Sequence, residues 1–181
     1  MVDFFVNINR TYVCKKRDDM IFVYTHLEDY IKDLFTSINV MYPKQLDPMI
    51  IGHKLGFEVI YLPIDSVSYD NIIYIDSRLS EQEQWQEFCH ELGHVISHSG
   101  NQTKTPPLFR EYQEWKANNF ALQACVPTFM LNKIKLPINE EKAINKISLL
   151  FNVEYDFAQK RLHHYLNNHF FSNCTLLERS C

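Results

Sequence analysis

The chain has 181 residues, 46% of them hydrophobic and 14% aromatic, with 18 Lys and Arg against 22 Asp and Glu. This length and composition support one packed domain and exclude wholesale disorder, and only four glycines argue against a turn-rich all-β fold. A formal net charge of −4 leaves no electrostatic footprint for nucleic acid.

Residues 1–19 carry no clear periodicity, and the basic run Lys15-Lys16-Arg17 is followed at once by Asp18-Asp19, the pattern of a solvated turn. A helix is expected from Thr25 as N-cap, with Leu27, Tyr30, Ile31, Leu34 and Phe35 at helical spacing. A second helix is expected after Pro43, burying Leu46, Met49, Ile50 and Leu55 and ending at Gly56. "FEVIYLP", 57–63, reads as a strand, and "NIIYID", 71–76, as its antiparallel partner across the loop "IDSVSYD". Ser80-Glu81-Gln82-Glu83 forms an S-x-x-E capping box, so a helix should run from about 81 to 98. After the loop 99–107 a further helix is expected from about 108 to 125, stopping before Pro127. A short helix, a break near Pro137 and two helices split by "FNVE" complete the chain.

The helix over 81–98 holds two separate lines of residues. Trp85, Phe88, Leu92 and Val95 form an apolar stripe, while His90, His94 and His98 recur every four residues on another line. His90-Glu91-Leu92-Gly93-His94 is an H-E-x-x-H pattern. Two histidines four apart on a helix present their imidazoles on one face, able to converge on a tetrahedral zinc ion. Glu91, beside the first histidine, can take a proton from a water that the ion has made acidic. The competing interpretation is a surface histidine pair on an ordinary helix. Gly93 costs about 1 kcal/mol relative to Ala in mid-helix, so its presence predicts close packing by another backbone.

A catalytic zinc site needs a third protein ligand and an open position. Glu111 and Glu114 are the candidates. Glu114 is preferred, because Ala117, Asn118, Ala121 and Cys125 continue along its face with small side chains that admit a second helix. Asn118, one turn on, can hydrogen-bond a ligand. Glu111 suits a solvated charge at the helix start.

These residues resemble the ImmA/IrrE family of metallopeptidases. The match rests on "IYIDSRLSEQEQWQEFCHELGHVISH" (73–98) and "EYQEWKANNFALQACVP" (111–127), with a looser likeness over 42–63. The resemblance implies an α+β, zincin-like metallopeptidase, mostly helical with a small antiparallel sheet. It implies zinc held by His90, His94 and Glu114 and Glu91 as general base; His98, which continues the line of the histidines, is a candidate to line the site beside Asn118. Its members encoded by phages and mobile elements relieve repression by acting on a helix-turn-helix repressor, by site-specific proteolysis or by protein contact alone. The expected partner is therefore such a repressor, cleaved or only bound. Lys116 departs from the family pattern, in which an acidic residue often precedes this Ala, and residues 1–24 are too short for the helix-turn-helix domain that begins some members.

The expected organisation is an N-terminal extension, 1–24, a metallopeptidase core, 25–135, a C-terminal helical segment resembling a helix-turn-helix, 136–171, and a tail, 172–181. The segment 143–166 suits packing or partner recognition, and direct DNA binding is not expected. His163, His164 and His169 read as polar surface residues. Five widely spaced cysteines without a C-x-x-C, no signal-like start and no long apolar window predict a cytoplasmic protein without a membrane span.

Overall fold

A computed structural model describes residues 24–97 and 106–178. The expectation for the N-terminal extension, beyond Tyr24 itself, lies outside the described residues. The chain opens with α1 (His26–Ser37), whose start is closed by a capping box in which Thr25 and Glu28 exchange hydrogen bonds. A short 3₁₀ turn at Pro43–Gln45 precedes α2 (Pro48–Leu55). The helix expected from Pro43 therefore starts five residues later, where the Asp47 carboxylate accepts from the Ile50 N–H. That start also changes the buried face. Ile51 and Gly52 are inside, whereas Met49 and Ile50 are exposed. Gly56 ends α2 at φ 86°, a left-handed conformation that only glycine adopts without strain.

The sheet corrects the expected pairing. β1 (Glu58–Leu62) and β3 (Ile72–Asp76) lie side by side but run parallel, with Val59 opposite Ile73. The stretch expected as a loop contains a third strand, β2 (Val67–Tyr69), which pairs antiparallel with β3 through the turn Asp70-Asn71. The strand order is β1-β3-β2, so the sheet is mixed and β3 is its centre. Three residues of β strand flanked by polar ones carry too little alternation to stand out from a loop.

α3 (Glu81–Ser97) follows from the Ser80–Glu83 capping box, in which the Ser80 N–H donates to Glu83 and the Glu83 N–H to Ser80. Of its expected stripe Trp85, Phe88 and Leu92 are fully buried, with Cys89 beside them, while Val95 is only partly buried. α4 (Pro107–Ala124) packs along α3, the most extensive element pair of the described fold. A Cβ at Gly93 would lie 3.2 Å from the Ala117 Cα and 3.1 Å from the Phe120 ring, so the missing side chain is what lets the two helices close.

The rest of the chain forms α5 (Thr128–Leu131), α6 (Glu140–Phe151) and α7 (Tyr155–Glu178). Asn152 turns the chain between α6 and α7 in a left-handed conformation at φ 50°. One hydrophobic cluster contains Ile31 and Phe35 of α1, Ile73 and Ile75 of β3, Phe88 and Leu92 of α3, and Ile147 and Leu162 of α6 and α7. Inside it sits a closed polar network. Arg161 of α7, fully buried, donates to the Thr128 hydroxyl at 2.7 Å and the Val126 carbonyl at 3.1 Å, and Thr128 donates in turn to the Glu28 carboxylate at 2.5 Å. Among the described residues no helix is long and apolar enough to cross a membrane.

Candidate metal centre

His90 and His94 sit one turn apart on α3, on the side facing the N-terminal half of α4. Their Nε2 atoms lie 3.0 Å apart. The Glu114 carboxylate of α4 places one oxygen 3.4 Å from His90 Nε2 and the other 3.4 Å from His94 Nε2. A tetrahedral zinc site with bonds of about 2.0–2.1 Å spaces its ligand atoms about 3.3 Å apart. The three side chains are therefore already at the spacing of one face of such a site. Two imidazole nitrogens 3.0 Å apart also require a proton or a cation between them. This donor set fits a zinc-like cation.

The orientation of His90 has a visible cause. Its Nδ1 lies 3.2 Å from Asn118 Oδ1, an oxygen that can only accept, so Nδ1 donates and the Nε2 lone pair is left facing the centre. His94 is buried, and its Nδ1 has no hydrogen-bond partner among the described residues.

Glu91 occupies a different role in the geometry. One residue after His90, it is rotated about 100° around the helix. Its carboxylate lies within 4.8 Å of the imidazole nitrogens and borders the same cavity. It is 7% exposed, and no described residue pairs with it. Of the two carboxylates near the histidines, Glu114 has the ligand spacing from the opposite helix. Glu91 has no partner among the described residues and borders the cavity.

The cavity measures about 370 Å³ and opens to solvent. One wall is formed by Glu87, His90, Glu91 and His94 of α3 with Glu114 and Asn118 of α4. The facing wall is Ser66, Val67 and Ser68, that is, β2 and the residue before it. The β2 lead-in is held by polar contacts: the Asp76 N–H donates to Ser66 Oγ at 3.1 Å, and Arg78 bridges Asp76 and Asp65.

The structure thus brings together His90, Glu91, His94, Glu114 and Asn118. His98 lies outside the described residues. Glu111 is exposed on α4 and does not border the cavity. His163 pairs with Glu140 at 2.7 Å, away from the cleft, and His164 packs beside Arg161. Burial, then the neighbouring Arg161 charge, pushes the His164 imidazole below its usual range. The His169 side chain lies outside the described part. Sequence reasoning missed Glu87 and the β2 wall. Glu87 was detectable, standing four residues before Glu91 on one helix face; β2 was not, because its place depends on pairing with β3.

An H-E-x-x-H helix faced by a carboxylate from a second helix at an open cleft is the arrangement of a candidate metal centre. The particular family follows from comparison with known proteins. Residues 44–163 match the model of Peptidase M78, described as the IrrE N-terminal-like domain, and the chain belongs to this family of metallo-enzymes. It is 39% identical over 142 residues to the phage-like element PBSX protein XkdA of Bacillus subtilis, covering 76% of this chain and 72% of that protein. It is 36% identical over 155 residues to YqaB of the same organism, an uncharacterised protein, covering 82% and 90% respectively.

Proposed function

We propose that this chain is a zinc-dependent, site-specific endopeptidase that lifts repression by inactivating a helix-turn-helix repressor of a phage or mobile element. The observation that carries the catalytic part is the pairing of a three-residue ligand face with a free, buried Glu91 on the same cavity. The regulatory part draws on family membership and on the phage-like element named for one relative.

His90, His94 and Glu114 would hold the zinc ion, which supplies Lewis acidity toward a peptide carbonyl and toward water. Asn118 keeps His90 in the tautomer that offers Nε2. The Glu91 carboxylate accepts a proton from the attacking water and later delivers it to the leaving amide nitrogen, so the peptide C–N bond breaks with its charge balanced. The substrate chain docks against β2. β3 is paired on both sides and offers no edge, whereas β2 is an outer strand and forms a wall of the cavity.

A second reading, inactivation by binding without cleavage, draws support from the exposed Leu108, Tyr112 and Trp115 of α4, close to Glu114 in sequence. One experiment separates the two. The protein is combined with a small helix-turn-helix repressor of a phage or mobile element, and both cleavage and loss of operator binding are followed. Glu91→Gln, with zinc content and folding verified, is expected to abolish both. Full derepression by Glu91→Gln without fragments would sink the peptidase reading and leave the binding one.

A further inference from the structure

Three carboxylates line the cleft, and the proposed chemistry uses only two of them. The third, Glu87, stands one turn before Glu91 on α3, about 6 Å along the helix axis. It is half-buried, and no described residue pairs with it. Among the described residues no lysine or arginine borders the cavity. Nearby cations are engaged elsewhere, Arg78 with Asp65 and Asp76, and Lys116 over the Tyr112 ring. The facing wall of Ser66, Val67 and Ser68 is neutral.

A solvated acidic surface would also lack partners, but this is not one. Glu91 in the same cavity is more than nine-tenths buried, and no described residue pairs with it, which points to a ligand in the cavity. A divalent cation offsets two of the three carboxylate charges, so the loaded cleft keeps one negative charge in excess. That excess sits at Glu87, the carboxylate with no part in holding the ion or moving the proton.

We propose that Glu87 is a specificity-determining residue that selects peptides with a lysine or arginine close to the cleaved bond. One helical turn matches about two residues of extended chain, so the basic side chain falls within about two residues of that bond. The proposal rests on the peptidase reading above.

The test uses the full chain loaded with zinc and an equimolar library of unstructured peptides that differ only in Lys, Arg, Gln or Glu at each position. Cleaved bonds are read by mass spectrometry, as ratios within one sample, so that any overall change in rate cancels. Lys and Arg are expected to exceed Gln about fivefold near the cleaved bond, the range of a partly exposed ion pair. Glu87→Gln is expected to erase that ratio, and Glu87→Lys to turn it toward Glu. A basic preference that survives Glu87→Gln, or none in the wild type, overturns the proposal.

A binding arm keeps this outcome distinct from failure of catalysis. Anisotropy of labelled Lys and Gln peptides is measured on zinc-loaded Glu91→Gln protein, where no cleavage is needed. Tighter binding of the Lys peptides, equalised when Glu87→Gln is added, supports the proposal even if no bond is cut by the wild type. Equal affinities overturn it.

Discussion

Two clusters of charged side chains join distant parts of this chain, and they are built in opposite ways. In the network of Glu28, Thr128 and Arg161, every group has a partner. Glu28 accepts from the Thr25 N–H and the Thr128 hydroxyl, Arg161 donates to Thr128 and to the Val126 carbonyl, and Arg161 and Glu28 approach to 3.9 Å. In the cleft, three carboxylates and two imidazoles converge with hardly a donor among them. Burial of charge is common to both, so burial alone does not mark function. The distinguishing feature is a surplus of acceptors around an open cavity, an arrangement suited to an added cation or ligand.

The two clusters also differ in what protonation does. Burial raises the pKa of Glu28, but the hydrogen bonds from Thr128 and Thr25 and the Arg161 charge overcome it, leaving the carboxyl below its usual range. Burial pulls Arg161 down to about 10, against the opposing pull of Glu28, so it stays cationic at neutral pH. The network is therefore a fixed ion pair tying α1, α5 and α7 together.

If the contrast is right, substitutions in the cleft should change chemistry without stability, and those in the network the reverse. Glu91→Gln is the sharpest case: peptide cleavage should fall by about 10²–10⁴-fold, the worth of a general base. Its thermal midpoint and zinc content should match the wild type. A large drop in the midpoint would mean that Glu91 belongs to the frame. Arg161→Ala leaves Glu28 buried and uncompensated, and should cost about 3–5 kcal/mol in denaturant unfolding. The protein that remains folded should bind zinc with unchanged affinity; weakened binding would erase the division between the clusters.

Asn118→Ala should lower zinc affinity about 10–100-fold, read by competition with a chromogenic chelator, because His90 loses the acceptor that sets its tautomer. Gly93→Ala tests the contact on which both halves of the ligand set depend. Helix propensity favours Ala, but the Ala117 backbone 3.2 Å away cannot retreat easily, so a net loss of about 1 kcal/mol is expected. Acid should act through the network. Because the Glu28 pKa is lower folded than unfolded, the unfolded chain binds more protons in acid. Its contribution to stability is present above the usual carboxylate range and is lost as pH falls through the folded pKa. Glu28→Gln should flatten that part of the stability profile measured by urea unfolding.

Much of the centre could be read in advance because local rules govern it. The capping box at Ser80 starts α3, and a pitch of 3.6 residues then puts His90 and His94 on one face. Gly93 and the small face of α4 announced a close helix pair, and the close approach is there. Glu114 was preferred to Glu111 because small residues, Ala117, Asn118, Ala121 and Cys125, continue its face of α4, and its carboxylate lies 3.4 Å from both imidazoles. The start and buried face of α2 were misjudged, because Pro43 permits a helix start but Asp47 supplies the acceptor that begins one.

The sequence by itself determined the two helices of the centre and the shared face of His90 and His94, since hydrogen bonds within a helix and side-chain periodicity span only a few residues. Tertiary structure decided the rest. The parallel pairing of β1 with β3, the placement of β2 at the cleft and the joining of Glu28 to Arg161 all depend on segments meeting across long stretches of chain. Such meetings are chosen by how whole faces bury against one another, and no local pattern carries that information. The wall of the cleft formed by Ser66, Val67 and Ser68 belongs to this second kind.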